Sequence, residues 1–357
     1  MAEDLQHLQQ LRAQIDALDE QVLTLINQRA LYAQAVGRLK NGTVYRPERE
    51  AQVLRRIKAL NAGPLADETV ARLFREIMSA CLALEKPLTI AFLGPHGTFT
   101  QAAAIKQFGH AANMQPCASI DEVFREVNAG NADYGVVPVE NSTEGAVNRT
   151  LDLLQDTSLK ICGEVDLRIH QSLLRKIDGL DGVKLLYSHG QSLAQCHEWL
   201  NRHLPNIVRV PVASNAEAAR LAAADPTALA VAGEIAAEIY GLQRLFDHIE
   251  DEPDNTTRFL VMASADAAAS GHDKTSLLMS APNLPGSLAA LLQPFARHGV
   301  SLTKFESRPA RAGLWEYVYF VDLEGHRDDP AVVAALAELK LKTTFLKLLG
   351  SYPVGVL

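Results

Sequence analysis

Asp133 to Val147 reads DYGVVPVENSTEGAV. An apolar run, Tyr134 to Val139, carries Pro138 near its end and opens into Glu140, Asn141, Ser142, Thr143 and Glu144. Acid, amide and hydroxyl groups gathered at the end of a strand are how open α/β sheets line a ligand crevice. Further on, Asn255-Thr256-Thr257-Arg258-Phe259 reverses the order, a polar cluster opening into an apolar run to Ala263. Such groups can donate protons and hydrogen bonds. Arg258 can hold a carboxylate or make a structural pair. Ser188-His189-Gly190-Gln191 follows the apolar run Val183 to Tyr187 and precedes a helical pattern, so its backbone N–H groups can face a carboxylate. Ser188 and His189 with an acid would suggest a hydrolase triad, but the G-x-S-x-G elbow is missing. Gly94-Pro95-His96-Gly97 lacks the Gly-Lys-Ser/Thr ending of a phosphate loop and reads as a tight turn.

A second group of candidates lies near the N-terminus. Leu8, Leu11, Ile15, Leu18, Val22, Leu25, Arg29, Tyr32, Val36 and Leu39 alternate steps of three and four, a sustained heptad seam. Arg29 sits in that seam, where a charge is costly unless paired. Arg12 and Lys40 flank the same face, and Arg49-Glu50 begins the next helical pattern. One reading is an interhelical salt bridge that sets register. The other is an anionic ligand held by converging cations, since Arg suits bidentate carboxylate binding.

Three segments must position these residues. A helix from about Asp4 to Lys40, stopped by Asn41-Gly42, would be roughly 55 Å long. That length must lie along another chain or a second long helix, so a helical dimer is expected. Pro47 suits the first turn of a second helix, and Asp67 is read as the cap of a third whose apolar face is Val70, Phe74, Ile77, Cys81 and Leu84. From Leu88 to Ala265, strand-like and helical runs alternate, the pattern of mostly parallel sheets. Ser264 to Gly271 is small and low in complexity and reads as a flexible linker. The remainder runs βαββαβ, a ferredoxin-like order.

Composition removes several classes. The net charge of −8 and the lack of a Lys/Arg-rich tract argue against a nucleic-acid partner. No long uncharged apolar run is present, so no membrane span is expected, and the acidic N-terminus is not a signal peptide. The four cysteines form no CxxC pair and read as reduced thiols of a cytoplasmic protein, and the histidines show no metal-ligand spacing. No metal or other cofactor is expected.

The E-N-S-x-x-G and N-x-T-R-F strings together resemble the prephenate dehydratases. That resemblance implies a two-lobed α/β domain over 88–265, with Thr257 as the acid that helps a ring hydroxyl leave. It implies Glu140, Asn141, Ser188, Gln195 and Arg258 around the substrate. Residues 1–87 resemble the all-helical chorismate mutases. By position, Arg12, Arg29 and Arg49 would hold chorismate carboxylates, Lys40 and Glu85 would donate to the breaking ether oxygen, and Glu50 would hold the ring hydroxyl. Cys81 would line the site, and Arg12 would reach into the partner subunit's site. Glu85 stands where a glutamine is common, and it can donate only as the protonated acid. Residues 274–357 resemble the phenylalanine-sensing ACT domains, with Asn283-Leu284-Pro285-Gly286-Ser287-Leu288 and Glu306-Ser307-Arg308-Pro309 as the effector motif. The expectation is therefore a multidomain homodimer or larger homo-oligomer of the bifunctional chorismate mutase–prephenate dehydratase type, inhibited by phenylalanine. Two alternatives stand beside it: a dehydratase with a non-catalytic helical dimerisation arm, and an amino-acid-sensing binding protein without catalysis.

Overall fold

The structure, a computed structural model, describes residues 2–39, 45–282, 284–309 and 317–356. Lys40, Asn41-Gly42 and Asn283 lie outside the described residues. Three helices come first: α1 (Ala2–Leu39), α2 (Pro47–Leu60) and α3 (Asp67–Ala83). No proline interrupts α1, and it runs as one helix. The first part of its seam finds no partner among the described residues: Leu8, Leu11, Ile15, Leu18, Val22 and Leu25 are 43–63% exposed. Only its later part rests on α3, with Ile26, Arg29, Ala30, Ala33 and Gly37 half-buried. Asp67 is not the cap of α3 but its first residue. Ala66 occupies the cap position, and Asp67 accepts a hydrogen bond from Asn61 Nδ2 at 2.7 Å. Its charge still favours the positive end of the helix.

The middle segment forms two lobes. The first contains β1 (Thr89–Leu93), α4 (Phe99–Phe108), β2 (Asn113–Cys117), α5 (Ile120–Asn128), β3 (Tyr134–Asn141), β4 (Gly145–Ala146), α6 (Asn148–Asp156) and β5 (Lys160–Arg168). The chain then crosses to the second lobe. This holds β6 (Ser172–Arg175), β7 (Leu185–His189), α7 (Gly190–Gln195), α8 (His197–His203), β8 (Val208–Val212), α9 (Asn215–Ala224), β9 (Ala228–Ala232), α10 (Glu234–Tyr240) and β10 (Gln243–Phe246). It returns as β11 (Thr256–Ala263), which inserts between β3 and β5 in the first sheet, order β2-β1-β3-β11-β5. The second sheet has the order β10-β6-β9-β7-β8. Both sheets are mixed rather than mostly parallel. β2-β1-β3 and β8-β7-β9 pair parallel, whereas β11 and β6 pair antiparallel to their neighbours. The double crossing between lobes brings strands back in the opposite sense.

The two crossings form a hinge. Gln171 N–H donates to Glu250 Oε2 at 2.8 Å, Ile249 N–H to the Gln171 carbonyl at 3.0 Å, and Ile169 N–H to the Asn255 carbonyl at 2.8 Å. The lobes also touch away from the hinge, where Tyr240 donates to the His96 carbonyl at 3.0 Å. The turn after β1 is tight, as expected. A Cβ on Gly97 (φ 90°) would lie 3.1 Å from Tyr240 and 3.3 Å from the backbone of Ala236.

The last segment comprises β12 (Asp273–Ser280), α11 (Ser287–Arg297), β13 (Leu302–Pro309), β14 (Tyr317–Glu324), α12 (Pro330–Lys340) and β15 (Phe345–Pro353). Its antiparallel order β13-β14-β12-β15 is ferredoxin-like. The sheet packs on the first lobe. Leu278, Phe320, Leu349 and Tyr352 share one core with Val137, Leu260 and Met262. β15 approaches β5 so closely that a Cβ on Gly350 would fall 2.1 Å from the Ile161 carbonyl oxygen. The connection before this segment is not a flexible linker. Ser270 Oγ donates to Asp273 Oδ1 at 2.6 Å, Arg55 donates to Ser270 Oγ at 2.8 Å, and Arg327 to Asp266 at 2.8 Å. Its few polar side chains find partners on α2, on β12 and in the turn after β14, and these anchor the small residues between.

All four cysteines are free and buried. Burial pushes the Cys117 thiol up to about 11 and the Cys162 thiol up to about 12. A thiol-reactive probe at pH ~8 is therefore expected to leave Cys117 and Cys162 unlabelled in the folded chain over the time in which it labels them in denaturant, because the thiolate is the reactive form. Fast labelling of either in the folded chain would show a thiol more open than these positions allow. Among the described residues, no helix is long and apolar enough to cross a membrane.

Candidate active sites

β3 and β11 bring the two polar clusters of the middle segment together. Their antiparallel register sets Asn141 opposite Thr257 and Glu140 opposite Arg258. The Asn141 amide donates to Thr257 Oγ1 at 2.8 Å and to Asn255 Oδ1 at 2.8 Å. Its own oxygen accepts the backbone N–H groups of Thr143 (3.1 Å) and Glu144 (3.0 Å). Ser142 and Thr256 close the loop, Ser142 N–H donating to the Thr256 carbonyl at 2.8 Å and Thr256 N–H to Ser142 Oγ at 3.0 Å. These bonds on both ends of the Asn141 amide fix its orientation. The N–H on Thr257 Oγ1 leaves the hydroxyl proton to be given elsewhere, and stabilises negative charge on the oxygen as it leaves. Asn255, 3% exposed, joins this cluster, and no sequence argument singled it out although it heads the Asn255-Thr256-Thr257 string.

Glu140 and Arg258 do not share that site. Adjacent residues on a strand point to opposite faces, and here they point at the ferredoxin-like sheet. Arg258 donates to Glu164 Oε2 (2.9 Å), Asp322 Oδ2 (2.6 Å) and Tyr352 Oη (3.0 Å). Burial opposes its charge, but Tyr352, Asp322 and Glu164 together raise its pKa well above the usual arginine value. Glu140 accepts from Lys304 Nζ at 2.6 Å. Of the two readings of Arg258, the structural pair is the one observed, and Glu140 is paired with the same sheet.

In the second lobe Ser188 is fully buried, its hydroxyl 3.1 Å from Asn215 Oδ1 and 3.0 Å from the Val231 carbonyl. It pegs the turn rather than facing the cleft. His189 N–H is taken by Asn215 Oδ1 at 3.0 Å, and Gln191 N–H by His189 Nδ1 at 3.4 Å, so two of the donors expected for a carboxylate are already engaged. Gln195 is half-buried, and its carbonyl accepts from Asp251 N–H at 2.7 Å. Asn215 and Gln171, which hold Ser192 Oγ at 2.8 Å and 3.0 Å, carry no motif that could have marked them.

In the helical segment, Arg12 and Arg49 are exposed and Arg29 is half-buried. None of the three makes a hydrogen bond or ion pair with a described residue. Arg29, Ala33 and Gly37 recur at four-residue spacing on the face of α1 that meets α3. Glu85 follows α3 and packs on Gly37, where a Cβ would lie 2.4 Å from its Oε2. That oxygen is buried and has no hydrogen-bond partner among the described residues. Cys81 is 4% exposed on α3. Glu50 turns toward the first lobe. Its Oε1 lies 3.2 Å from Arg75 Nε and accepts from Tyr45 Oη at 3.3 Å, while Arg75 donates to the Lys106 (2.6 Å) and Gln107 (2.8 Å) carbonyls. Burial raises the Glu50 pKa, and Arg75 and Tyr45 oppose that shift.

In the last segment Leu284, Pro285, Gly286 and Leu288 are exposed and Ser287 half-buried, on the turn that starts α11. β13 alternates along its length. Ser307 and Pro309 face out, whereas Lys304, Glu306 and Arg308 are half-buried on the other face. Arg308 donates to Asp152 Oδ1 at 2.9 Å and to Asn148, both on α6 of the first lobe. Its side chain is thus committed to the lobe and not to the exposed effector turn.

A helical segment, a two-lobed α/β unit with an oriented hydroxyl at a strand end, and a small ferredoxin-like sheet docked behind it define a multidomain enzyme with a regulatory module. Family models match in that order: chorismate mutase type II at residues 11–86, prephenate dehydratase at 90–267 and the ACT domain at 275–341. The bifunctional chorismate mutase/prephenate dehydratase of Neisseria gonorrhoeae is 59% identical over 97% of each chain. That of Pseudomonas aeruginosa is 52% identical over 99% of this chain and all of its own. A solved prephenate dehydratase from Arthrobacter aurescens, in complex with L-Phe, superposes with a TM-score of 0.69 at 37% identity, covering 74% of this chain and 90% of that one. The chain belongs to the bifunctional chorismate mutase/prephenate dehydratase family. It rearranges chorismate to prephenate, then decarboxylates and dehydrates prephenate to phenylpyruvate, so the non-catalytic alternatives fall away.

Proposed function

We propose that Thr257, oriented by Asn141, is the acid of the dehydration step. The observation that carries this reading is the 2.8 Å hydrogen bond from the Asn141 amide to Thr257 Oγ1. In the reaction the ring carboxylate leaves as carbon dioxide, and the electrons of that carbon–carbon bond enter the ring. The carbon–oxygen bond to the ring hydroxyl breaks, and that oxygen takes a proton and departs as water. Thr257 gives the proton and recovers one from solvent, so one proton is consumed per turnover. Aromatisation supplies the driving force, and the site needs only to orient the donor and hold the substrate.

For the mutase step, Arg29 and Arg49 hold carboxylates. Lys40 and the protonated form of Glu85 donate to the ether oxygen, Glu85 through its buried Oε2. Arg12 serves a different subunit. It lies 17 residues before Arg29 on one straight helix, roughly 25 Å away, too far for both to grip one small dicarboxylate. The exposed seam of α1 is the surface a second copy would cover, so the working unit is a homodimer or larger homo-oligomer. The Leu284–Leu288 turn and the outward residues of β13 form the phenylalanine site, and binding there inhibits dehydration. Four buried free thiols suit the reducing cytoplasm.

One assay tests the reading as a whole. Chorismate fed to the pure full-length protein is expected to yield prephenate and then phenylpyruvate, with phenylalanine suppressing the second product. Accumulation of prephenate alone would remove the dehydratase reading, and unchanged phenylpyruvate formation with phenylalanine present would remove the regulatory one.

A further inference from the structure

We propose that Lys304, Arg308 and Asp322 of the ACT sheet are positioning residues for dehydration, setting the Asn141–Thr257 pair through the residues that flank it. The proposal rests on the assignment of Thr257 and Asn141 as the dehydration pair. The two strands that carry that pair present the adjacent cross-strand pair, Glu140 and Arg258, to the opposite face. The ACT sheet holds both members. Lys304 Nζ lies 2.6 Å from Glu140 Oε2, and Arg258 Nη1 lies 2.6 Å from Asp322 Oδ2. Lys274 adds a third contact, 2.8 Å from the Glu164 carboxylate that Arg258 also binds.

The loop after Asn141 is clasped at both ends. Lys304 holds the residue before Asn141, and Arg308, four residues along the same strand, holds Asn148 and Asp152 on the helix that follows the loop. Both cations lie on the inward face of β13, and Ser307 and Pro309 occupy its outward face. β13 is an edge strand, bonded to β14 alone in its sheet. A shift of this strand therefore acts on Glu140 and α6 together, and the loop between them carries Asn141. Asp322 on β14 ties the same movement to Arg258, next to Thr257. The Arg258–Asp322 contact is buried on both sides, 13% and 11% exposed, and in the Lys304–Glu140 contact the Lys304 side chain is 11% exposed and Glu140 40%. Leaving Lys304, Arg258 or Asp322 without its partner would strand a mostly buried charge, which is costly.

The test uses the full-length chain. The parent and the Lys304→Met, Lys304→Arg, Arg308→Met and Thr257→Val variants are compared for prephenate kcat and KM with and without phenylalanine. Calorimetry reads phenylalanine binding, and chorismate rearrangement reports folding. Lys304→Met is expected to lower kcat by roughly three- to tenfold with little change in KM, and to weaken inhibition while phenylalanine still binds. Lys304→Arg, which keeps the charge, is expected to recover most of the loss. If Lys304→Met also lowers mutase turnover, Arg308→Met is judged by the same criteria. Parent-like kcat and inhibition in both methionine variants would overturn the proposal, as would equal losses in Lys304→Met and Lys304→Arg. Thr257→Val separates the two levels. Undiminished dehydration there overturns the acid assignment, whereas its loss beside unaffected Lys304→Met and Arg308→Met overturns only the positioning role.

Discussion

Replacing Thr257 with valine is expected to lower dehydration of prephenate by about 10²–10⁴-fold, the usual worth of general acid help, while chorismate rearrangement stays at the parent rate. Valine keeps the branched shape of threonine and its preference for a strand. Thr257 is half-buried at the start of β11, and its hydroxyl accepts one hydrogen bond, from Asn141. The substitution removes the donor and leaves the Asn141 amide with Asn255 as its remaining side-chain partner. Some stability is lost with that hydrogen bond, about 0.5–1.5 kcal/mol, which is too little to unfold the lobe. Steady-state rates on prephenate and on chorismate from the same preparation decide the matter. Near-normal dehydration would falsify the assignment, and parallel loss of both activities would point to folding instead.

Arg29→Ala is expected to reduce chorismate consumption by roughly 10²-fold or more, as loss of a charged group that stabilises a transition state does, and to spare dehydration of added prephenate. Arg29 is half-buried on the α3-facing side of α1 and has no described partner to lose. Its removal should therefore change stability by no more than about 0.5 kcal/mol, as for other substitutions that break no contact. That contrast distinguishes catalysis from helix pairing. A seam arginine that only set register would, on replacement, alter the assembly or the melting temperature before it altered turnover. Melting curves, the oligomeric state and both activities, measured together, read the difference. A large drop in melting temperature with equal loss of both reactions would sink the ligand-binding role.

Local periodicity makes much of the architecture legible. The uninterrupted heptad of α1, Pro47 at the first turn of α2 and the βαββαβ order of the last segment are short-range patterns, and the structure has each of them. β2, β5, β6 and β10 are not legible as strands in the same way. β2, Asn-Met-Gln-Pro-Cys, carries polar residues and a proline, and the others pair with strands far away in sequence. The expected flexible linker fails for a related reason, since its small residues are anchored by Asp266 and Ser270 through partners on distant elements.

The chemistry divides in the same way. Residue type and position at strand ends are enough to mark Asn141 and Thr257, because a polar cluster that interrupts an apolar run is visible in the chain alone. Their pairing across β3 and β11 is not visible there, since register between strands so far apart in sequence depends on the assembled sheet. Glu140 and Arg258 stand next to them in sequence, yet alternation of side chains turns them to the opposite face. What covers that face, the ACT sheet with Lys304 and Asp322, is decided only when the third segment docks. Sequence adjacency thus identifies the strands of the candidate site, while the tertiary packing determines which of their residues join the Asn141–Thr257 cluster and which face the regulatory sheet.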